Sequence, residues 1–158
     1  MGSCDLFAQG IFRLMTPTSA ASPRIIRIAA ALLLNDDGQT LLVRKRGTSA
    51  FMQPGGKIDA HELPVHALVR ELEEELDLRI DPAQAIFLGQ FSAPAANEPG
   101  FVVQADIYQL TINTEVFPAA EIEEVIWIDP ATDGDVILAP LTRDVILPFY
   151  RASLNAIA

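Results

Sequence analysis

Residues 55–78 read Gly55-Gly56-Lys57-Ile58-Asp59-Ala60-His61-Glu62-Leu63-Pro64-Val65-His66-Ala67-Leu68-Val69-Arg70-Glu71-Leu72-Glu73-Glu74-Glu75-Leu76-Asp77-Leu78. A glycine pair opens the stretch, and an acidic segment with helical periodicity follows. Pro64 suits the first turn of that helix, where a missing N–H costs nothing. At about 100° per residue, with Glu71 at zero, Glu74 falls at about −60° and Glu75 at about +40°. Val65, Leu68, Val69, Leu72 and Leu76 fill the adjoining arc, from roughly 60° to 160°. Three carboxylates therefore sit at the edge of a stripe that must be buried, and Glu73 points away as a solvated residue. Like charges at helical neighbour spacing cost about 0.2–0.5 kcal/mol per pair in water, and more beside a core. A hard cation gathered by the three would reverse that cost.

On the N-terminal side, Arg24–Leu34 reads as a buried strand and Asn35-Asp36-Asp37-Gly38 as a turn. Thr40–Arg46 then makes a second strand, so the pair forms a hairpin. Residues 47–51 read as a loop, and 53–56 as a strand end entering a tight turn. Beyond the helix, residues 86–91 read as a strand and Ser92–Gly100, with two prolines and Asn97, as a loop. Residues 101–110 alternate, with Phe101, Val103, Ala105 and Ile107 opposite Gln104 and Asp106, as in a half-buried strand. Residues 124–128 make a last short strand that includes Trp127, expected in the core. Residues 141–154 have helical spacing, which Pro148 should kink or split. Strands mixed with two helices predict an α/β/α sandwich on a mixed β-sheet.

The chain has 158 residues, half of them apolar. That suits one domain over residues 23–158, with 1–22 as an N-terminal extension. A net charge of −10 argues against non-specific binding to nucleic acid or a membrane surface. Cys4 is the only cysteine, so no internal disulfide forms, as expected in a reducing cytoplasm. No apolar run is long enough to span a bilayer. Residues 1–22 lack the pattern of a secretory signal, because Asp5 stands near the start and Arg13 interrupts the apolar stretch.

The stretch resembles the Nudix box, G-x5-E-x7-R-E-U-x-E-E-x-G-U with U a bulky aliphatic, at Gly56, Glu62, Arg70, Glu71, Leu72, Glu74, Glu75 and Leu78. The seven matches before residue 77 arise by chance on the order of once in a million for a chain this long. One position departs, Asp77 standing where the family has glycine. The resemblance implies the Nudix fold and a hydrolase that attacks a diphosphate linkage of a nucleoside diphosphate derivative with water. It implies Mg2+, with Mn2+ as an alternative, on Glu71, Glu74, Glu75 and the Gly55 carbonyl. Arg70 would hold the acids in place, and Glu62 would brace the loop. Gly56 and Lys57 belong to the substrate side.

Outside the box, Arg44 either meets a substrate phosphate or is a solvated strand end. Glu121, six residues before Trp127, is similar in offset to a loop acid that in certain family members completes the metal site or serves as general base; the other reading is a surface acid, and Glu98 is its competitor. Phe51 either stacks on a base or packs in the core. His61 and His66 read as surface positions. Pro94 is similar in offset to a proline of the ADP-ribose-hydrolysing branch, whereas Phe51–Lys57 is similar to members acting on oxidised nucleoside triphosphates. The implied partner is a small nucleotide, of 8-oxo-dGTP or NTP type or of ADP-ribose type. A homodimer is compatible, since many relatives are dimers. Two other readings are a Nudix-fold binding or sensor module without catalysis, and a prenyl diphosphate isomerase. The first usually loses box glutamates that this chain keeps. The second needs a core cysteine that it lacks.

Overall fold

The computed structural model describes residues 22–156. Cys4, the residue 1–22 extension and the leader reading therefore lie outside the described residues, apart from residue 22. Seven strands form one mixed sheet: β1 (Arg24–Leu34), β2 (Thr40–Lys45), β3 (Phe51–Met52), β4 (Gly55–Lys57), β5 (Ile86–Pro94), β6 (Phe101–Thr111) and β7 (Ile122–Ile128). The helices are α1 (Pro64–Leu76) and α2 (Leu147–Asn155). β1 and β6 run parallel over their full length, from Arg24 opposite Phe101 to Leu34 opposite Thr111. β5 is antiparallel to β6, and β7 antiparallel to β2.

The hairpin partner of β1 leaves early. β2 pairs with β1 only at Leu34 and Thr40, after which β4 takes its place, with Ala30 opposite Gly55 and Ile28 opposite Lys57. The sheet thus opens between β1 and β2, and the glycine pair fills the gap. This corrects the expected tight turn at residues 53–56: Gly55 and Gly56 are strand residues. Small side chains on β1 allow it. A Cβ on Gly55 would collide with the Ala29 carbonyl and the Ala30 backbone, and Gly55 holds φ at +148°, a value that favours glycine.

The two faces of β1 bury different layers. Ala29, Ala31 and Leu33 pack with Leu41, Val43 and the α1 residues Ala67, Leu68, Leu72 and Leu76. Ala30, Leu32 and Leu34 pack with Ala105, Ile107, Leu141, Ile146 and Tyr150. This is the expected α/β/α sandwich. Each fully buried Leu contributes about 1.5–3 kcal/mol relative to exposure. Trp127 is half-buried against the α1 layer.

Three other readings differ from expectation. β5 continues to Pro94 because Ser92, Ala93 and Pro94 pair with Gln104, Val103 and Val102. Proline is tolerated there because it ends the strand. β6 is buried on both faces from Ala105 to Tyr108, with helices covering both sides of the sheet. Buried Asp106 accepts a hydrogen bond from Gln90 Nε2 at 3.0 Å. Phe51, read as loop, lies in β3. The C-terminal segment splits as expected: residues 141–146 form a wide helical turn, and α2 begins with Pro148 in its first turn. Among the described residues no helix is long and apolar enough to cross a membrane.

Candidate active site

α1 carries the acids and β4 lies against them. The helix begins without a side-chain cap, since Leu63 has none to offer, and ends at Asp77 in the left-handed conformation (φ 52°, ψ 33°). There the Asp77 N–H donates to the Glu73 carbonyl and the Leu78 N–H to the Leu72 carbonyl. Aspartate thus performs the helix exit that glycine performs with less strain. The residue Asp77 replaces in the box pattern is one of backbone shape.

Arg70 is the organiser. Its Nε and Nη2 donate to Glu62 at 3.0 and 2.8 Å, Nη1 to Glu71 at 2.9 Å and Nη2 to the Lys57 carbonyl at 3.1 Å. Glu62 also accepts from the Asp59 N–H. The Arg70 guanidinium, with that N–H, lowers the Glu62 carboxyl to about 2. Burial pushes the Glu71 carboxyl up, while Arg70 opposes the shift. A Cβ on Gly56 would enter the Glu71 carboxylate and displace it from its bond with Arg70.

Glu75 lies in the buried stripe, 2% exposed. One oxygen, Oε2, accepts from the Gly55 N–H at 3.1 Å, while Oε1 is buried with no hydrogen-bond partner. Burial raises its carboxyl to about 8; the Gly55 N–H opposes this and the neighbouring Glu71 adds to it. Glu74 is half exposed and 3.7 Å from Arg70. Glu73 is turned to solvent and pairs with Arg79 at 3.1 Å, as its wheel position predicted. Among the described residues, no three acidic, histidine or cysteine side chains yet surround one point. The donor set nevertheless fits a divalent cation. A buried carboxylate oxygen without a partner is costly, and a cation satisfies it.

The other expected residues divide. Glu121 pairs with Lys45 at 3.3 Å, and both act electrostatically on Glu75. Lys57 and Glu98 face each other at 3.9 Å across the mouth of a cavity that both line. Arg44 spends its donors on Glu123, Glu124 and the Thr48 carbonyl, and none is directed at the acids. Phe51 is 5% exposed among Leu42, Ile128, Leu138 and Leu147, so its ring packs in the core and has no free face for a base. His61 and His66 are exposed.

Lys45 was missed, and a signal for it existed. Leu41 and Val43 face α1 while Leu42 faces away. Strand alternation therefore carries Lys45, not Arg44, toward the acids. Gln53 and Thr142 were also missed. They line the cavity on the other face of β4, and no motif marks them.

A mixed sheet opened by a glycine pair, with an arginine-braced ladder of glutamates behind it, defines an α/β protein whose acidic face is held in place by Arg70. The family model "NUDIX domain" matches residues 24–139, and the chain belongs to that family. It is 40% identical over 75 residues to an "8-oxo-dGTP diphosphatase" of Haemophilus influenzae, covering 45% of this chain and 55% of that one. It is 43% identical over 58 residues to an "RNA pyrophosphohydrolase" of Halorhodospira halophila, covering 37% of this chain and 31% of the other. The chain thus spans about half the length of the first relative and less of the second. The MutT protein of Methanosarcina mazei shares the fold with a TM-score of 0.70 at 19% identity, over 84% of this chain and 97% of that one.

Proposed function

We propose that this chain hydrolyses a diphosphate linkage in a small nucleoside diphosphate derivative, with Mg2+ as its metal and Mn2+ as a substitute. The observation that carries this reading is the unpartnered, buried Oε1 of Glu75 beside a glycine pair that also lines the cavity. Glu71, Glu74, Glu75 and the Gly55 carbonyl would hold the metal. Once bound, it would supply Lewis acidity and a lowered water pKa. The chain's own residues do the rest. Arg70 and Glu62 hold Glu71 in place through charge-assisted bonds. Lys45 and Lys57 supply positive charge for the phosphates in a chain that is otherwise strongly acidic. Glu121 reaches the cluster from outside the helix and takes the proton of the attacking water. The relatives' names support nucleotide substrates, 8-oxo-dGTP among them.

The test is a panel of 8-oxo-dGTP, ordinary NTPs, ADP-ribose and diadenosine polyphosphates with Mg2+, scored by released phosphate or pyrophosphate. Glu74→Gln and Glu75→Gln should each lower kcat by about 10²-fold or more while the fold survives, the scale expected when one group stabilising the reacting charge is removed. Glu73→Gln should stay near wild type. Turnover at wild-type rate by both of the first two variants sinks the site. No turnover on any substrate leaves a binding module.

A further inference from the structure

The cavity beside β4 holds a polar pair that the hydrolytic reading does not use. Its volume is about 140 Å³, room for a ring system rather than a single water. Ile28, Ala30, Val103 and Leu141 make its walls apolar. Gln53 and Thr142 also line it, at 5% and 0% exposure. The Thr142 hydroxyl donates to Gln53 Oε1 at 2.7 Å. Gln53 Nε2 is buried and finds no acceptor in the protein. Leaving such a donor unmade costs about 1–3 kcal/mol. A purely structural tie between residue 53 and the helical turn would not need it, because two apolar side chains of the same shape serve equally well.

We propose that Gln53 reads the base of the bound nucleotide, with Thr142 fixing the direction in which its amide points; this rests on the nucleotide reading above. An amide whose oxygen already accepts from a hydroxyl is left with its NH2 as the group in need of a partner. It therefore recognises acceptors. A guanine-type edge offers two, O6 and N7, whereas adenine offers N7 beside an amino donor. The occupied amide thus favours an oxo-purine over adenine. Glycines at 55 and 56 bring the backbone close between this cavity and the glutamates, so a base seated here leaves its phosphates toward the acid face.

Equilibrium binding of dGMP, dAMP and 2-aminopurine deoxyribonucleoside monophosphate tests this without requiring turnover. Wild type should prefer dGMP by about tenfold over the 2-aminopurine nucleotide, which keeps the ring but lacks O6, the scale of one lost hydrogen bond to a partner left buried. Gln53→Met combined with Thr142→Val removes both polar groups at nearly constant volume, and that preference should fall to about one. Thr142→Val alone frees the amide to rotate, and discrimination between dGMP and dAMP should collapse. A merely structural pair would not move these ratios. Retention of the wild-type preference in the double variant overturns the inference, as does failure of wild type to bind either purine. Turnover with unchanged base preference across the variants sinks this inference alone. Base-selective binding with no hydrolysis on the substrate panel sinks the hydrolytic reading and leaves the base reading standing.

Discussion

Glu75 concentrates the electrostatic tension of the site in one side chain. Its carboxyl, ordinarily at 4.5, is raised to about 8 by burial. Without metal, between those two values the folded chain keeps a proton on Glu75 that the unfolded chain has released. Stability therefore declines as pH rises through this window, with all of Glu75's contribution present below about 4.5 and none above about 8. The size is on the order of a few kcal/mol. In EDTA, Glu75→Gln should show a flatter Tm profile between pH 5 and pH 8 than wild type and be the more stable protein at pH 8. Parallel profiles would mean that the burial does not govern its proton. Glu62 has the opposite sign. Held at about 2 by Arg70, it contributes stability above 4.5 that is lost as pH falls through its folded value.

At the scale of elements, α1 is a helix with poor ends. Leu63 provides no side-chain oxygen for the first turn, and Asp77 places a β-carbon and a negative charge in a left-handed exit. Both choices cost stability, since a non-glycine residue in that conformation costs about 1–2 kcal/mol and an anion is unfavourable at a helix C-terminus. The helix is held instead by Leu68, Leu72 and Leu76 against the sheet. Asp77→Gly should therefore raise the urea midpoint by the equivalent of about 1 kcal/mol with no change in m-value. A lower midpoint would show that the aspartate makes a contact worth more than its strain. On the other side of the site, β4 replaces β2 beside β1 and so presents the Gly55 N–H to Glu75.

Across the whole molecule, the proposed cation binding would be linked to folding. The unfolded chain cannot assemble glutamates from one helix against a glycine strand twenty residues away. Mg2+ should thus raise Tm, approaching about 2.7 kcal/mol of stabilisation at a hundredfold excess over Kd. Glu75→Gln should lose most of that gain. A thermal scan indifferent to saturating Mg2+ would remove the metal from the proposal. Much of this was legible in the chain. The period of 3.6 over residues 64–76 placed Glu71, Glu74 and Glu75 on one edge and Glu73 outside it, because helical geometry is local. The same locality made the strand–turn–strand of residues 24–46 readable. What the sequence could not supply was every relation between segments distant along the chain. That Gly55 and Gly56 extend a strand rather than turn depends on β2 parting from β1. That Arg44 is spent on Glu123 and Glu124 depends on β7, nearly eighty residues away. That Gln53 meets Thr142 depends on a helical turn crossing under the sheet, a contact made by packing between segments that share no local signal. Helix periodicity and the ladder of acids were the sequence's own; the depth of Glu75, the cavity and its unpaired amide came only with tertiary packing, because burial and hydrogen-bond partners are decided by what the rest of the chain brings alongside.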